Sequence, residues 1–77
     1  MSATISLRRL HIEADNRCEA VFAAEGLRVS RLYHRARLRE MRRWNAYLNA
    51  TGPHKMLRPY APEHFAAVER ELKECVR

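Results

Sequence analysis

Arginines are the residues of this chain whose type and spacing could do chemistry. Seven of them lie within residues 28–50, where Glu40 is the single acid, so this segment carries the whole formal charge of +6. A helix turns about 100° per residue, which places four of the arginines within an arc of about 80°. These four are Arg31, Arg35, Arg39 and Arg42, and Asn49 lies on the same side. Guanidinium groups are planar, permanently charged, bidentate donors, so the pattern predicts a surface that binds phosphate or carboxylate groups. The alternative is a solvated basic face.

A second group of charges falls on the apolar side of the same predicted helix. Glu40 lies in the middle of that side, with Arg37 three residues before it and Arg43 three residues after it. In one interpretation the three side chains pair locally at the edge of the core. In the other, the apolar side meets another chain and this ion cluster sets the register of the interface. The sequence leaves both interpretations open.

Other kinds of chemistry have little support in the sequence. The four histidines, Cys18 and Cys75 lack the spacing of zinc ligands, and no nucleophile elbow, phosphate-binding glycine loop or paired-acid motif occurs. A chain of 77 residues also has little room for a deep pocket. We therefore expect no catalytic residues, no metal and no cofactor.

The same composition indicates an intracellular protein. The two cysteines are far apart in sequence, which favours reduced thiols. The longest apolar run, residues 20–24, is too short for a transmembrane segment, and no secretory signal is recognisable. The sequence does not distinguish the cytoplasm from an organellar matrix.

Three helices are predicted to position these residues, over about residues 3–25, 29–50 and 62–76. Gly26 suits a left-handed position after the first helix, and Ser30 could cap the second. Residues 51–53, Thr-Gly-Pro, end the second helix, and Pro62 is well placed to begin the third. For residues 3–14 a short strand is an alternative, with a separate helix beginning at a capping box of Asn16 and Glu19.

The predicted second helix has a broad apolar side that should dock on its neighbours. That side consists of Val29, Leu32, Tyr33, Ala36, Trp44, Tyr47 and Leu48. Its aromatic rings are therefore expected in the core and not on the arginine side. We also expect Met56, Leu57 and Tyr60 to pack back from the loop before the third helix.

The fold class that follows is all-α, as a single small helical domain over residues 1–77. A helical hairpin is followed by a C-terminal helix, because the connection between the first two helices is short. Three helices in one layer cannot cover every apolar stripe of so short a chain. We therefore expect self-association, as a homo-oligomer, or incorporation into a larger complex.

Two known motifs bear comparison with the central segment. A helix-turn-helix motif usually has a small residue at the position of Phe22. Its second helix is also much shorter than the second helix predicted here. Residues 32–35, Leu-Tyr-His-Arg, with the following RLREMRRWNAY, resemble the LYR-motif helix of small mitochondrial accessory proteins. His34 occupies the position of the motif arginine, unless Arg35 takes the place of that arginine. The resemblance implies a basic helical subunit that docks on acyl carrier protein in respiratory or iron–sulfur assemblies.

Charge and architecture together predict a small, basic, non-catalytic binding protein or accessory subunit. Its partner should be an anionic macromolecule, with RNA favoured over DNA. The alternative is a helical adaptor or inhibitor that docks on an acidic protein surface, including a LYR-like subunit. Phosphate and carboxylate groups bind guanidinium groups with the same geometry. The sequence therefore does not distinguish a nucleic acid from an acidic protein as the partner.

Overall fold

The computed structural model describes residues 3–75, and the side chains of residues 6–75. Three helices make up the regular structure of this part: α1 (Ala3–Ala24), α2 (Arg31–Thr51) and α3 (Pro62–Glu74). The all-α prediction is confirmed, and the strand alternative for residues 3–14 is wrong because α1 runs through them without a break. Val76, placed in the predicted third helix, lies outside the described residues. None of the helices in the described part contains an apolar stretch that could span a bilayer.

Local signals in the sequence account for the helix ends. The amide of Leu27 donates to the Phe22 carbonyl at 2.8 Å, and that of Gly26 donates to Ala23 at 3.2 Å, which closes α1 with a Schellman motif. Gly26 has φ of +74°, as this motif requires. The Ser30 hydroxyl accepts from the Tyr33 amide at 3.2 Å and caps α2. The predicted start at residue 29 is therefore two residues early.

Helix α2 is the centre of the fold, with α1 and α3 packed on different sides of it. Between α2 and α3, the core consists of Leu38, Met41 and Val68, with Tyr60, Phe65 and Leu72 against them. On the other side, α1 buries Ala14 and Cys18. Within the described residues α1 and α3 do not pack on each other. Each outer helix is therefore held mainly by its packing against α2.

The buried side of α2 differs from the predicted one. Leu32 keeps 54% of its surface exposed, and Val29 lies before the helix and is also exposed. The buried residues include His34, Leu38 and Met41, none of which was predicted on the docking side. The reason is that α1 and α3 approach α2 from two directions, so the covered band is wider than one stripe and has a different centre.

The loop over residues 52–61 is anchored on α2 by polar contacts. Asn45 donates to the Tyr60 carbonyl at 3.0 Å and accepts from the Tyr60 amide at 2.7 Å. The Trp44 indole N–H donates to the Arg58 carbonyl at 3.0 Å. Tyr60 packs back as expected, but that expectation is wrong for Met56, which is 89% exposed, and for Leu57. Hydrogen bonds to the backbone, and not those two apolar side chains, fix this loop.

Candidate anion-binding surface

The side of α2 that neither outer helix covers carries the predicted arginines. All four of Arg31, Arg35, Arg39 and Arg42 are exposed, and we refer to them as the arginine ridge. Asn49 is exposed on the same side, near the end of the helix. From Arg31 to Arg42 the ridge extends roughly 16 Å along the helix axis, at about 1.5 Å per residue. It presents about one guanidinium group per turn.

The ridge has no partner within the described part of the chain. None of its four guanidinium groups makes an ion pair or a hydrogen bond with a described residue. Other arginines do have partners: Arg37 pairs with Glu40 at 2.6 Å, Arg43 donates to the Leu10 carbonyl at 3.0 Å, and Arg8 lies over the Tyr47 ring. The described part of the fold therefore leaves all four charges of the ridge unpaired.

Arg17 of α1 extends the cationic surface beyond α2. A shallow groove of about 220 Å³ lies between the two helices. It is lined by Arg17, Val21, Leu32, Arg35, Ala36 and Arg39. Three arginines and three aliphatic residues therefore line the same groove, and we refer to the aliphatic residues as its floor. Arg17 was not among the predicted site residues, because only the docking of α1 on α2 brings it beside the ridge.

Glu40 lies at the junction of α1, α2 and the loop, with only 3% of its surface exposed. Its carboxylate accepts from Arg37 at 2.6 Å, from His11 Nε2 at 2.9 Å and from the Tyr60 hydroxyl at 3.2 and 3.3 Å. The Nδ1 atom of His11 is buried with no partner in the described residues. When His11 carries its proton on Nε2, it donates to Glu40, and the buried Nδ1 is then an acceptor without a donor.

These contacts fit the interpretation in which Glu40 pairs within its own chain, and they extend it to His11 and Tyr60. Of the two flanking arginines, Arg37 contacts the carboxylate, whereas Arg43 donates to the backbone of α1. A role of Arg37, Glu40 and Arg43 in the register of an interface between chains stays a prediction. Both carboxylate oxygens are nevertheless engaged inside the fold.

The network shifts the titration of its neighbours. Burial raises the pKa of the Tyr60 phenol, and the negative charge of Glu40 raises it further. Burial acts to lower the pKa of Arg37, but the attraction of Glu40 leads the effects that outweigh it, so the net direction is upward. The pKa of the Cys18 thiol is also raised, first by burial and then by Glu40. All three shifts keep these groups in the protonation state that they have at neutral pH.

The aromatic residues of α2 are packed within the fold and do not line the ridge. Trp44 lies between His11, with ring centroids 4.9 Å apart, and Tyr47, at 6.0 Å. The Tyr33 ring packs against Phe22 of α1 at 5.5 Å. These half-buried rings join α1 to α2, in agreement with the prediction that they are structural.

Potential metal ligands do not cluster among the described residues. Among them, no group of three or more His, Cys, Asp or Glu side chains could hold a metal ion. Comparisons with protein-family models, with curated proteins and with solved structures found no match. The resemblance of residues 32–47 to the LYR-motif helix therefore gains no support from a family model.

Proposed function

We propose that this protein is a small, non-catalytic nucleic-acid-binding protein that engages its partner through the arginine ridge. The observation that carries the proposal is that Arg31, Arg35, Arg39 and Arg42 are exposed on one side of α2 without a partner in the described residues. Like charges at helical spacings of three and four weaken a helix slightly. A ridge that costs stability and joins no contact of the fold is best explained by an external anion.

Nucleic acid is favoured because its charge repeats along a line, as the charge of the ridge does. Arg31, Arg35 and Arg39 follow one another at about 6 Å along the axis, one per turn. A strand of phosphodiesters offers a repeated anion to such a series, and the release of its counterions drives binding. RNA is favoured over DNA because the ridge runs along α2, whereas a helix-turn-helix reads DNA with the first residues of a short second helix.

The test compares two variants that lose the same number of charges. One replaces the four ridge arginines by Gln, and the other replaces Arg9, Arg58, Arg70 and Lys73, all exposed and outside the ridge, by Gln. Binding of a fluorescently labelled RNA is followed by anisotropy over a series of salt concentrations. Each lost phosphate contact should flatten the slope of log affinity against log salt by about 0.7 to 0.9.

The ridge variant should therefore lose nearly all binding, and the control variant should lose little. Circular dichroism should show that both variants keep their helices, since Gln is a good helix former. Equal losses from the two variants would mean that binding follows net charge alone. The ridge would then have to be abandoned as the site.

A second candidate is an acidic protein partner, and the exposed Leu32 favours it. This side chain lies beside Arg35 and Arg39 in the groove, and protein interfaces commonly combine arginine with apolar contacts. In that case the ridge variant should raise the dissociation rate, and the salt dependence should be weaker because buried pairs are less screened.

Self-association, or assembly into a larger complex, belongs to the same proposal. Leu27 keeps 70% of its surface exposed, and Val29 and Leu32 are exposed nearby. Such a group of large apolar side chains is typical of a surface that meets another chain. Sedimentation over a range of protein concentrations, with and without RNA, would show whether the chain associates. A monomer under all of these conditions would remove this part of the proposal.

A further inference from the structure

The groove between α1 and α2 combines a cationic surface with an aliphatic one. Phosphate binding alone does not need the aliphatic surface. Arg17 comes from α1, whereas Arg35 and Arg39 come from α2, so arginines of both helices line the groove. Val21, Leu32 and Ala36 line the same groove and supply no hydrogen-bonding side chain. The largest of the three, Leu32, leaves more than half of its surface exposed.

We propose that this groove binds an unpaired nucleotide of single-stranded RNA, a proposal that rests on the nucleic-acid-binding function proposed above. The guanidinium groups of Arg17, Arg35 and Arg39 hold the phosphates on either side of the nucleotide. The face of its base lies on the aliphatic floor, with Leu32 as the main contact. Recognition is independent of sequence, since every base has an apolar face and the floor offers no group that reads base edges.

The apolar floor is what selects a single strand over a duplex. In a duplex the base faces are stacked on one another, and the outer surface consists of phosphates and sugars. The major groove of an RNA duplex is also deep and narrow, and side chains do not read it. Arg17 widens the cationic surface beyond α2. If α2 were inserted in the major groove of an RNA duplex, Arg17 would contact no phosphate. An unpaired nucleotide uses both the floor and Arg17.

The size of the groove argues against an acidic helix as its occupant. A helix with its side chains is about 10 to 12 Å across and docks through apolar residues over at least two turns. The groove has a volume of about 220 Å³ and three aliphatic residues in its floor. It accommodates one planar group flanked by charges better than it accommodates a helix.

The experiment measures binding of a labelled oligouridine and of the duplex that it forms with oligoadenosine, at the same salt concentrations. The full chain should bind the single strand several-fold more tightly than the duplex. Arg17→Gln should weaken binding of the single strand by about tenfold, the effect of one lost charge-assisted contact. It should also flatten the salt slope by about 0.7. The matched control is Arg9→Gln, which removes an exposed arginine of α1 that does not line the groove.

Leu32→Gln tests the floor, with Ile12→Gln as the control at an exposed apolar residue of α1 outside the groove. Leu32→Gln should weaken binding of the single strand several-fold without changing the salt slope, and should leave binding of the duplex unchanged. Leu32→Tyr should strengthen binding of the single strand alone, because an aromatic ring stacks on a base better than leucine does.

The possible failures separate this inference from the function on which it rests. Equal affinity for the two RNAs, or no effect of Arg17→Gln where the ridge variant abolishes binding, would overturn the inference and leave the proposed function standing. Failure to bind either RNA would overturn both. Polyglutamate that competes with the oligouridine in an Arg17-dependent way would identify the groove as a site for an acidic protein.

Discussion

Replacing Glu40 by Gln removes the charge at the centre of the fold and changes the shape of the side chain least. Glu40 is 3% exposed, and its carboxylate accepts from Arg37, His11 and Tyr60. An amide keeps one acceptor oxygen but turns an NH₂ group toward donors, and it leaves Arg37 without its counter-ion. Breaking a buried ion pair costs roughly 3–5 kcal/mol. Because about a third of the Arg37 side chain is exposed and screened by water, we expect a loss of about 2–4 kcal/mol in the free energy of unfolding.

Urea unfolding, followed by far-UV circular dichroism and by the fluorescence of Trp44, measures this loss. A double-mutant cycle of Glu40→Gln with Arg37→Gln should give a coupling free energy of about 1–2 kcal/mol, since the two side chains are in direct contact. Arg43→Gln is the matched control. Its guanidinium group donates to the Leu10 carbonyl at an exposed position, so it should cost less than about 1 kcal/mol and should couple weakly with Glu40.

Two results would refute this reasoning. Unchanged stability of Glu40→Gln would mean that burial of the charge offsets all of its contacts. A loss that disappears as the protein is diluted would mean that Glu40 acts between chains, as the register hypothesis states. The comparison over protein concentration therefore decides between the two interpretations that the sequence left open.

Three further predictions concern the same junction. Asn45→Ala should lower the free energy of unfolding by about 2 kcal/mol, because both of its hydrogen bonds to the Tyr60 backbone are lost; urea unfolding checks this. The raised pKa of Tyr60 means that its contribution to stability is present below the ordinary tyrosine pKa of 10.0 and is lost as the pH rises through the higher folded value. Tyr60→Phe should accordingly reduce the fall in stability above about pH 10, as measured by unfolding midpoints. In a Cys75→Ser variant, the thiol of Cys18 should react with iodoacetamide only at the rate of unfolding, because it is buried and its pKa is raised; rapid reaction in the native state would contradict this.

Helix ends were predictable because their signals are local. Gly26, Ser30 and Pro62 act on backbone groups within a few residues of themselves, and all three occupy the positions expected of them. The exposure of the ridge was predictable for a similar reason. Four arginines that share one arc of a helix are too costly to bury without partners.

Contacts between distant residues were not predictable in the same way. His11 is 29 residues from Glu40, and Tyr60 is 20 residues from Glu40. No regular spacing in the sequence therefore predicts that the three residues meet at the junction of α1, α2 and the loop. The error at Leu32 has a related cause. Periodicity shows that a helix has an apolar side, but the directions from which α1 and α3 approach decide which residues are covered. Arg17 joined the candidate site only through that packing.

Because the ridge takes no part in packing, its removal should not weaken the fold. Three pairs of ridge arginines, Arg31 with Arg35, Arg35 with Arg39, and Arg39 with Arg42, have the spacing at which like charges destabilise a helix by roughly 0.2–0.5 kcal/mol each. The variant with Gln at all four positions should thus be as stable as the natural chain, or more stable by about 1 kcal/mol, with the difference largest at low salt. Urea unfolding at low and high salt measures this directly. A loss above about 1 kcal/mol would show that the ridge supports the fold, and the strongest reason for assigning it to an external anion would disappear.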